Sequence, residues 1–187
     1  MKKNKNNFVG IILARGGSKG IKLKNLFKIN NKPLIYWTIK HCLNSKKISS
    51  VWVSSDNNKI LNYSQKMGVK TIKRPKVYSK DTSSSESAWL HAIEHIEKRG
   101  FHIKNVVGLQ PTSPLRKKND LDKAINLFIK KKYDSLFTVQ KIKGHLTWSK
   151  IQNRMVADHD VKLRKRRQEI PTRYLPNGSF YIFKKDQ

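Results

Sequence analysis

The residues best able to do chemistry sit in one short stretch, Arg15-Gly16-Gly17-Ser18-Lys19-Gly20, with Lys24 and Asn25 just beyond it. Gly16, Gly17 and Gly20 let a backbone turn tightly and lie close against a ligand. Successive N–H groups in such a loop make a concave anion site, and Arg15, Lys19 and Lys24 bring positive charge to the same place. The combination suits the phosphates of a nucleoside triphosphate; a basic surface turn is the alternative reading. The spacing matches neither G-x-G-x-x-G nor G-x-x-x-x-G-K-[ST], so neither dinucleotide nor P-loop chemistry follows from it. Two further polar loops stand out. Tyr78–Ser87 (YSKDTSSSES) is dense in hydroxyls, and Gln110–Arg116 (QPTSPLR) presents Gln, Thr, Ser and Arg between two stiffening prolines. His91 and His95 have metal-ligand spacing on a helix, but no further ligand flanks them, so packing or exposure is their expected fate. None of the histidines stands out as a general base.

These loops need elements to hold them. Val9–Ala14 is a continuous apolar run stopped by the glycines, which reads as a buried strand of a parallel sheet. Pro33–Ser45 has Leu34, Trp37, Ile39, Cys42 and Leu43 near helical spacing, with Pro33 in the first turn. Ser49–Ser55 reads as a strand, with Asp56 placed to cap a helix over Asn58–Met67 that Gly68 stops. Val69–Lys73 reads as a strand, and Ser83–Glu86 as a capping box for a helix over Glu86–Arg99 with Ala88, Leu90, Ile93 and Ile96 inward. Lys104–Leu109 is a strand, Asp120–Lys132 a helix with Leu121, Ala124, Ile125 and Phe128 on one face, and Ser135–Gln140 a strand. Strand and helix alternate from Val9 to Gln140, which predicts an α/β fold with a mostly parallel sheet covered on both faces. The QPTSPLR loop then follows a strand's C-terminal end, where open α/β sheets bind ligands. The alternation breaks at Lys141–Thr172, which is poor in apolar residues and carries a basic cluster at Lys162–Arg167. Pro176-Asn177-Gly178 signals a turn before a last strand, Ser179–Phe183.

A chain of 187 residues fits a single domain with a sizeable core. No apolar run is long enough to cross a bilayer, no signal-type apolar core follows the basic N-terminus, and Cys42 is the only cysteine. A cytoplasmic protein without membrane partners is expected. The net charge of +29 predicts attraction to polyanions. The lysines are spread over the whole chain and no recognised nucleic-acid motif accompanies them, so a solvated lysine coat, rather than a dedicated nucleic-acid role, is the reading.

Six segments, taken in order, resemble one family. ARGGSKGIKLKN, Ser54-Ser55-Asp56, Arg74-Pro75, DTSSSES, LQPTSPLR and RRQEIP with the later YLPNGSFYI are similar to the acylneuraminate cytidylyltransferases, the synthetases of CMP-sialic acid and of CMP-linked nonulosonic acids. The resemblance covers nearly the whole chain. It implies a Rossmann-like nucleotidyltransferase fold, a homodimer, CTP and a nonulosonic acid as substrates, pyrophosphate release and Mg²⁺. It implies catalytic roles for Arg15, Lys19 and Lys24. Nucleotide binding falls to Arg15, Gly16, Ser18, Lys24, Asn25, Arg74, Ser83 and Ser85. Contacts to the acyl sugar fall to Gln110, Asn177 and Tyr181, and to Arg167 from a dimerisation arm at 141–172. A 3-deoxy-manno-octulosonate cytidylyltransferase and a CTP-binding homologue without turnover are the alternatives.

Three departures from the family's pattern stand out. The Asp-x-Asp motif by which the family holds its metal near the C-terminus has no counterpart after NGSFYI in residues 1–187, so no metal ligands are assigned. Asp158 and Asp160 have the right spacing but lie in the arm region. Leu175 stands where a basic residue is frequent before Pro-Asn-Gly, and Lys22 where proline is frequent.

Overall fold

The computed structural model describes residues 7–163 and 165–186. They divide into two compact units: the described parts of Met1–Phe137 and Gly178–Gln187 form one, and Thr138–Asn177, which includes the expected arm, the other.

The first unit is built on a six-stranded sheet. Its strands are β1 (Phe8–Leu13), β4 (Ile48–Ser55), β5 (Lys70–Lys73), β6 (Asn105–Leu109), β7 (Ser135–Ile142) and β10 (Arg173–Lys184), in the spatial order β5-β4-β1-β6-β10-β7; of β7 and β10 only residues 135–137 and 178–184 belong to this unit. The two-residue strands β2 (Lys28–Ile29) and β3 (Lys32–Pro33) form a separate small ribbon. β1 pairs in parallel with β4 and β6, β4 in parallel with β5, and β10 antiparallel to β6. The chain thus runs outward from β1 to β5 and returns to the other side of β1 at β6. Strand order reverses between β1 and β6, and a ligand crevice is expected over the C-terminal ends there.

Both faces of the sheet are covered, which explains why its strands read as unbroken apolar runs. Phe8 and Ile12 pack with Ile35 and Ile39 of α1 (Leu34–Leu43), Ile60 of α2 (Asn58–Lys66) and Ile125 and Phe128 of α4 (Asp120–Lys131). Val9 and Ile11, one residue out of phase, pack with Trp89, Ala92, Ile93 and Ile96 of α3 (Ser85–Lys98). Trp89 lies over β6 at Gly108, where a Cβ would stand 2.6 Å from its ring. That close approach requires glycine.

Several expectations are corrected. The cap of α2 is Asn57, whose Oδ1 accepts from the Lys59 and Ile60 N–H groups, not Asp56. The cap of α3 is Ser84, accepting from the Ser87 N–H, so the Ser83–Glu86 box does not form. In α1 Leu34, Ile39 and Cys42 are buried as expected, but Ile35 and Thr38 complete the inner face, while Trp37 is half-buried and Leu43 exposed. In α3, Trp89 is buried and Leu90 exposed. Pro176-Asn177-Gly178 makes no turn; it lies within the twelve-residue β10, where Gly178 has φ +65°.

The second unit holds a hairpin absent from the sequence reading, β8 (Trp148–Ile151) with β9 (Arg154–Ala157). Gln152 and Asn153 join the strands with φ 45° and 63°, the paired positive values of a two-residue hairpin turn. Leu146, Trp148, Ile151, Met155, Val161 and Leu163 are exposed on this unit.

Candidate active site

Three loops leave the C-terminal edge of the sheet around the β1/β6 reversal. The first follows β1. The Ala14 N–H still donates to the Ser54 carbonyl at 3.0 Å, and the chain then departs. At Gly16 the N–H donates to Asp56 Oδ1 at 2.8 Å, and a Cβ there would stand 2.7 Å from Cβ of Asn57. Asp56 therefore anchors the loop instead of capping α2. A Cβ on Gly17 or Gly20 would meet nothing, so close packing singles out Gly16 of the three. Leu23 adopts φ 52° and ψ 40°, a left-handed backbone that costs a residue other than glycine about 1–2 kcal/mol. It redirects the chain into the 3-10 turn Lys24–Leu26. Asn25 is thereby buried: its Nδ2 donates to the Arg15 carbonyl at 2.9 Å, while its Oδ1 is buried without a partner.

The second loop follows β5. Arg74 is 4% exposed, and its Nε donates to Ser79 Oγ at 3.0 Å. Burial pushes its pKa down; Asp56 opposes that and Arg15 adds to it. Ser83 Oγ accepts from the Lys80 N–H and donates to the Val77 carbonyl, which folds the segment into a compact turn. Asp81, at its tip, pairs with Arg15 Nη1 at 2.6 Å and Lys19 Nζ at 3.3 Å. The hydrogen bonds from Arg15 and then Lys19 hold its carboxyl below the usual carboxylate range.

The third loop follows β6. Gln110 is half-buried, with its Oε1 3.8 Å from the place a Cβ on Gly178 would occupy. Arg116, 8% exposed, turns back beneath this loop. Its Nε donates to Ser179 Oγ at 2.8 Å and its Nη1 to Thr38 Oγ1 at 2.9 Å. Its Nη2 donates to the Gln110 carbonyl at 2.8 Å and to the Ser179 carbonyl.

Together the loops enclose an open cleft of about 630 Å³. Of the residues singled out in the sequence, Arg15, Ser18, Lys19, Lys24, Asn25, Arg74, Ser83, Ser85 and Gln110 all line it. Gly16 does not; it shapes the loop from behind. Tyr181 does not either: its ring packs against Trp89, centroids 5.3 Å apart. Asn177 and Arg167 belong to the second unit, where Asn177 Oδ1 accepts from Thr138 Oγ1 and Arg167 lies along Gly144. His91 and His95 stack with centroids 6.2 Å apart, and His91 lies 5.1 Å from Tyr78, in keeping with packing rather than ligation.

Among the described residues no group of three or more His, Cys, Asp or Glu gathers, and Asp81, the acidic residue lining the cleft, is engaged by two cations. Asp81, the anchoring role of Asp56 and the reach of Arg116 were not read from the sequence. Asp81 was hidden among serines; the other two depend on contacts 40 and 63 residues away in sequence.

The same chain can be compared with known proteins. It is 34% identical to the N-acylneuraminate cytidylyltransferase A of Danio rerio over 94% of this chain and 41% of that protein. It is also 34% identical to the pseudaminic acid cytidylyltransferase of Campylobacter jejuni over 92% of this chain and 76% of that protein. The chain thus spans less than half the length of the fish relative. Among solved structures, a CMP:2-keto-3-deoxy-manno-octonic acid synthetase complexed with CTP matches 96% of this chain and 75% of its own with TM-score 0.71 at 19% identity, a likeness of fold. A family model described as cytidylyltransferase matches residues 9–186. With that span covering the sheet and all three cleft loops, the chain belongs to the cytidylyltransferase family.

Proposed function

We propose that this chain joins CTP to N-acetylneuraminic acid or a related nonulosonic acid, giving the CMP-sugar and pyrophosphate. The observation that carries the reading is the convergence of Arg15, Lys19, Lys24 and Asn25 with Arg74 and Gln110 on one cleft at the strand-order reversal. The names of the fish and Campylobacter relatives support the substrate class.

In this reading Arg15, Lys19 and Lys24 hold the triphosphate and offset charge on the departing pyrophosphate. Ser18 adds a hydroxyl at the same end. The unpartnered Oδ1 of Asn25 accepts from a nucleotide donor group, since a buried acceptor left unpaired costs about 1–3 kcal/mol. Arg74, Ser83 and Ser85 border the nucleoside, and Gln110 meets the acyl sugar. The anomeric hydroxyl attacks the α-phosphorus in line: that P–O bond forms, the bond to the β-phosphate oxygen breaks, and the hydroxyl proton passes to solvent. No histidine lines the cleft among the described residues. Transfer of this kind is achieved mostly by positioning and charge neutralisation. The expected Mg²⁺ lacks a ligand set among the described residues, and no step is assigned to it. The exposed apolar residues of the second unit suit a homodimer, with Arg167 and Asn177 contributed from that unit. No helix among the described residues is long and apolar enough to cross a membrane, and a cytoplasmic location is part of this proposal.

The test is pyrophosphate release from CTP with N-acetylneuraminic, legionaminic and pseudaminic acids, and with 3-deoxy-manno-octulosonate, beside calorimetric titration of CTP. Turnover with one of the nine-carbon acids is expected. CTP binding with no turnover on any acid would leave a nucleotide-binding protein, and turnover on the octulosonate alone would move the substrate class.

A further inference from the structure

The antiparallel register of β6 and β10 ends with Leu109 opposite Phe180. The next pair along the same register is Gln110 opposite Ser179. The guanidinium of Arg116 stands at that pair, with one nitrogen donating to both carbonyls, Gln110 O and Ser179 O. Its Nε binds the Ser179 hydroxyl, and its other terminal nitrogen reaches Thr38 in the middle of α1. Arg116 therefore supplies a rung of the ladder where the strands part.

That placement is costly unless it does something. A buried cation is disfavoured, and among the described residues no carboxylate lies within ion-pair distance of this one. Burial pushes the Arg116 pKa down to about 10, which still leaves it charged at neutral pH. Stapling two strands could be done by an uncharged ladder pair. What the guanidinium adds is a fixed fork with fixed angles. It locks the main chain of Gln110 while its side chain stays beside Gly178 and on the cleft.

We propose that Arg116 is a positioning residue for the acid-sugar subsite: it replaces the ladder rung after Leu109–Phe180 and so fixes the backbone from which Gln110 reaches the substrate. The nucleotide end of the cleft, built on the loops after β1 and β5, does not depend on it. This inference rests on the cytidylyltransferase reading in taking Gln110 as a contact to the acid.

The experiment uses Arg116→Met, Arg116→Lys and Thr38→Val. For Arg116→Met, kcat/KM for the acid is expected to fall about 10- to 100-fold, the range for a misplaced contact group. The Kd of CTP, measured alone, should stay within about twofold. Arg116→Lys, which keeps charge and one or two of the bonds, should recover part of the loss. Thr38→Val removes the α1 anchor but leaves both carbonyl bonds, so it should lower stability and spare the KM for the acid. Amide hydrogen exchange gives a readout independent of turnover. In Arg116→Met it should rise about 10-fold or more at Gln110–Leu115 and around Ser179, with β4 and α2 unchanged. Equal losses in CTP Kd and acid KM, or exchange raised evenly through the sheet, would overturn the inference. If the wild-type protein turns over none of the acids while the exchange pattern is as expected, the functional reading fails and the positioning role of Arg116 stands.

Discussion

Two cationic sites lie on the same sheet edge, and they are built in opposite ways. Half-buried Arg15 and exposed Lys19 share one exposed carboxylate, Asp81, at the tip of the turn after β5. Arg116 is buried and bound only to neutral acceptors on three separate elements. An exposed ion pair contributes about 0–1 kcal/mol and exchanges readily with another anion. A buried guanidinium with four hydrogen bonds cannot exchange; removing an acceptor leaves a desolvated donor behind. The contrast separates charge for binding from charge for framework. The first can be moved at little cost, as the proposed triphosphate grip requires; the second holds three elements in place.

The largest expected effect falls on the exposed site. Arg15→Ala should lower kcat/KM for CTP about 100- to 1,000-fold, the loss typical for one donor that meets developing charge, with the melting temperature nearly unchanged. If it melts clearly lower and keeps its activity, Arg15 belongs with the framework and the contrast fails. Next comes Thr38→Val at the buried site. It should cost about 1–3 kcal/mol in urea unfolding, because a buried Arg116 donor loses its acceptor, with CTP affinity unaltered. A smaller effect of opposite sign is expected at Asp81. Asp81→Asn removes the anion that competes with phosphate for Arg15 and Lys19, so CTP should bind about 3- to 10-fold more tightly in low salt. The gain should shrink at high ionic strength. Weaker CTP binding in Asp81→Asn would show that the carboxylate arranges the cations rather than competing for them.

Much of the fold was legible because the sheet is buried on both faces. Val9–Ala14 and Lys104–Leu109 then read as unbroken apolar runs, and the glycines and prolines that end them mark the cleft loops directly. The phase of α1 was harder. Thr38 is wholly buried and Leu43 half-exposed, because Thr38 answers to Arg116 rather than to hydrophobicity. The caps slipped by one residue at Asp56 and Ser83 for a related reason. Each polar side chain is occupied elsewhere, Asp56 by Gly16 and Ser83 by its own turn, and the neighbour takes the cap. Nine residues of the expected site line the cleft because glycines, prolines and hydroxyls end the sheet strands and mark the loops there. What was missed, the pairing of Asp81 and the reach of Arg116, lies between distant parts of the chain, which spacing along it does not encode. Pro176-Asn177-Gly178 misled because turn residues inside a strand also serve a local kink, here at the positive φ of Gly178.

The smallest effect is a pH dependence of stability at the half-buried histidines of α1 and α3. His91 and His95 lie on α3, with Arg74, Glu94, Lys98 and Arg99 about them; His41 lies on α1, facing Arg116 and Asp120. All three have native pKa values below 6.5, burial being the largest cause in each. Between the native value and 6.5 the unfolded chain binds more protons, so stability is full above about pH 6.5 and falls as the pH drops towards the native values. The melting temperature should therefore be level from pH 7 to 8 and decline by about 1–3 °C between pH 6.5 and 5, before Asp81 begins to lose its charge. The decline should shrink more in a His91→Gln, His95→Gln double variant than in His41→Gln. At His41 the Pro114 carbonyl and Asp120 favour the charged form and offset part of the burial cost, whereas the His95 surroundings are cationic throughout. A melting temperature that rises on acidification through this window would mean that the histidines gain partners on protonation; were His41 the source, the surroundings of Arg116 would not be fixed.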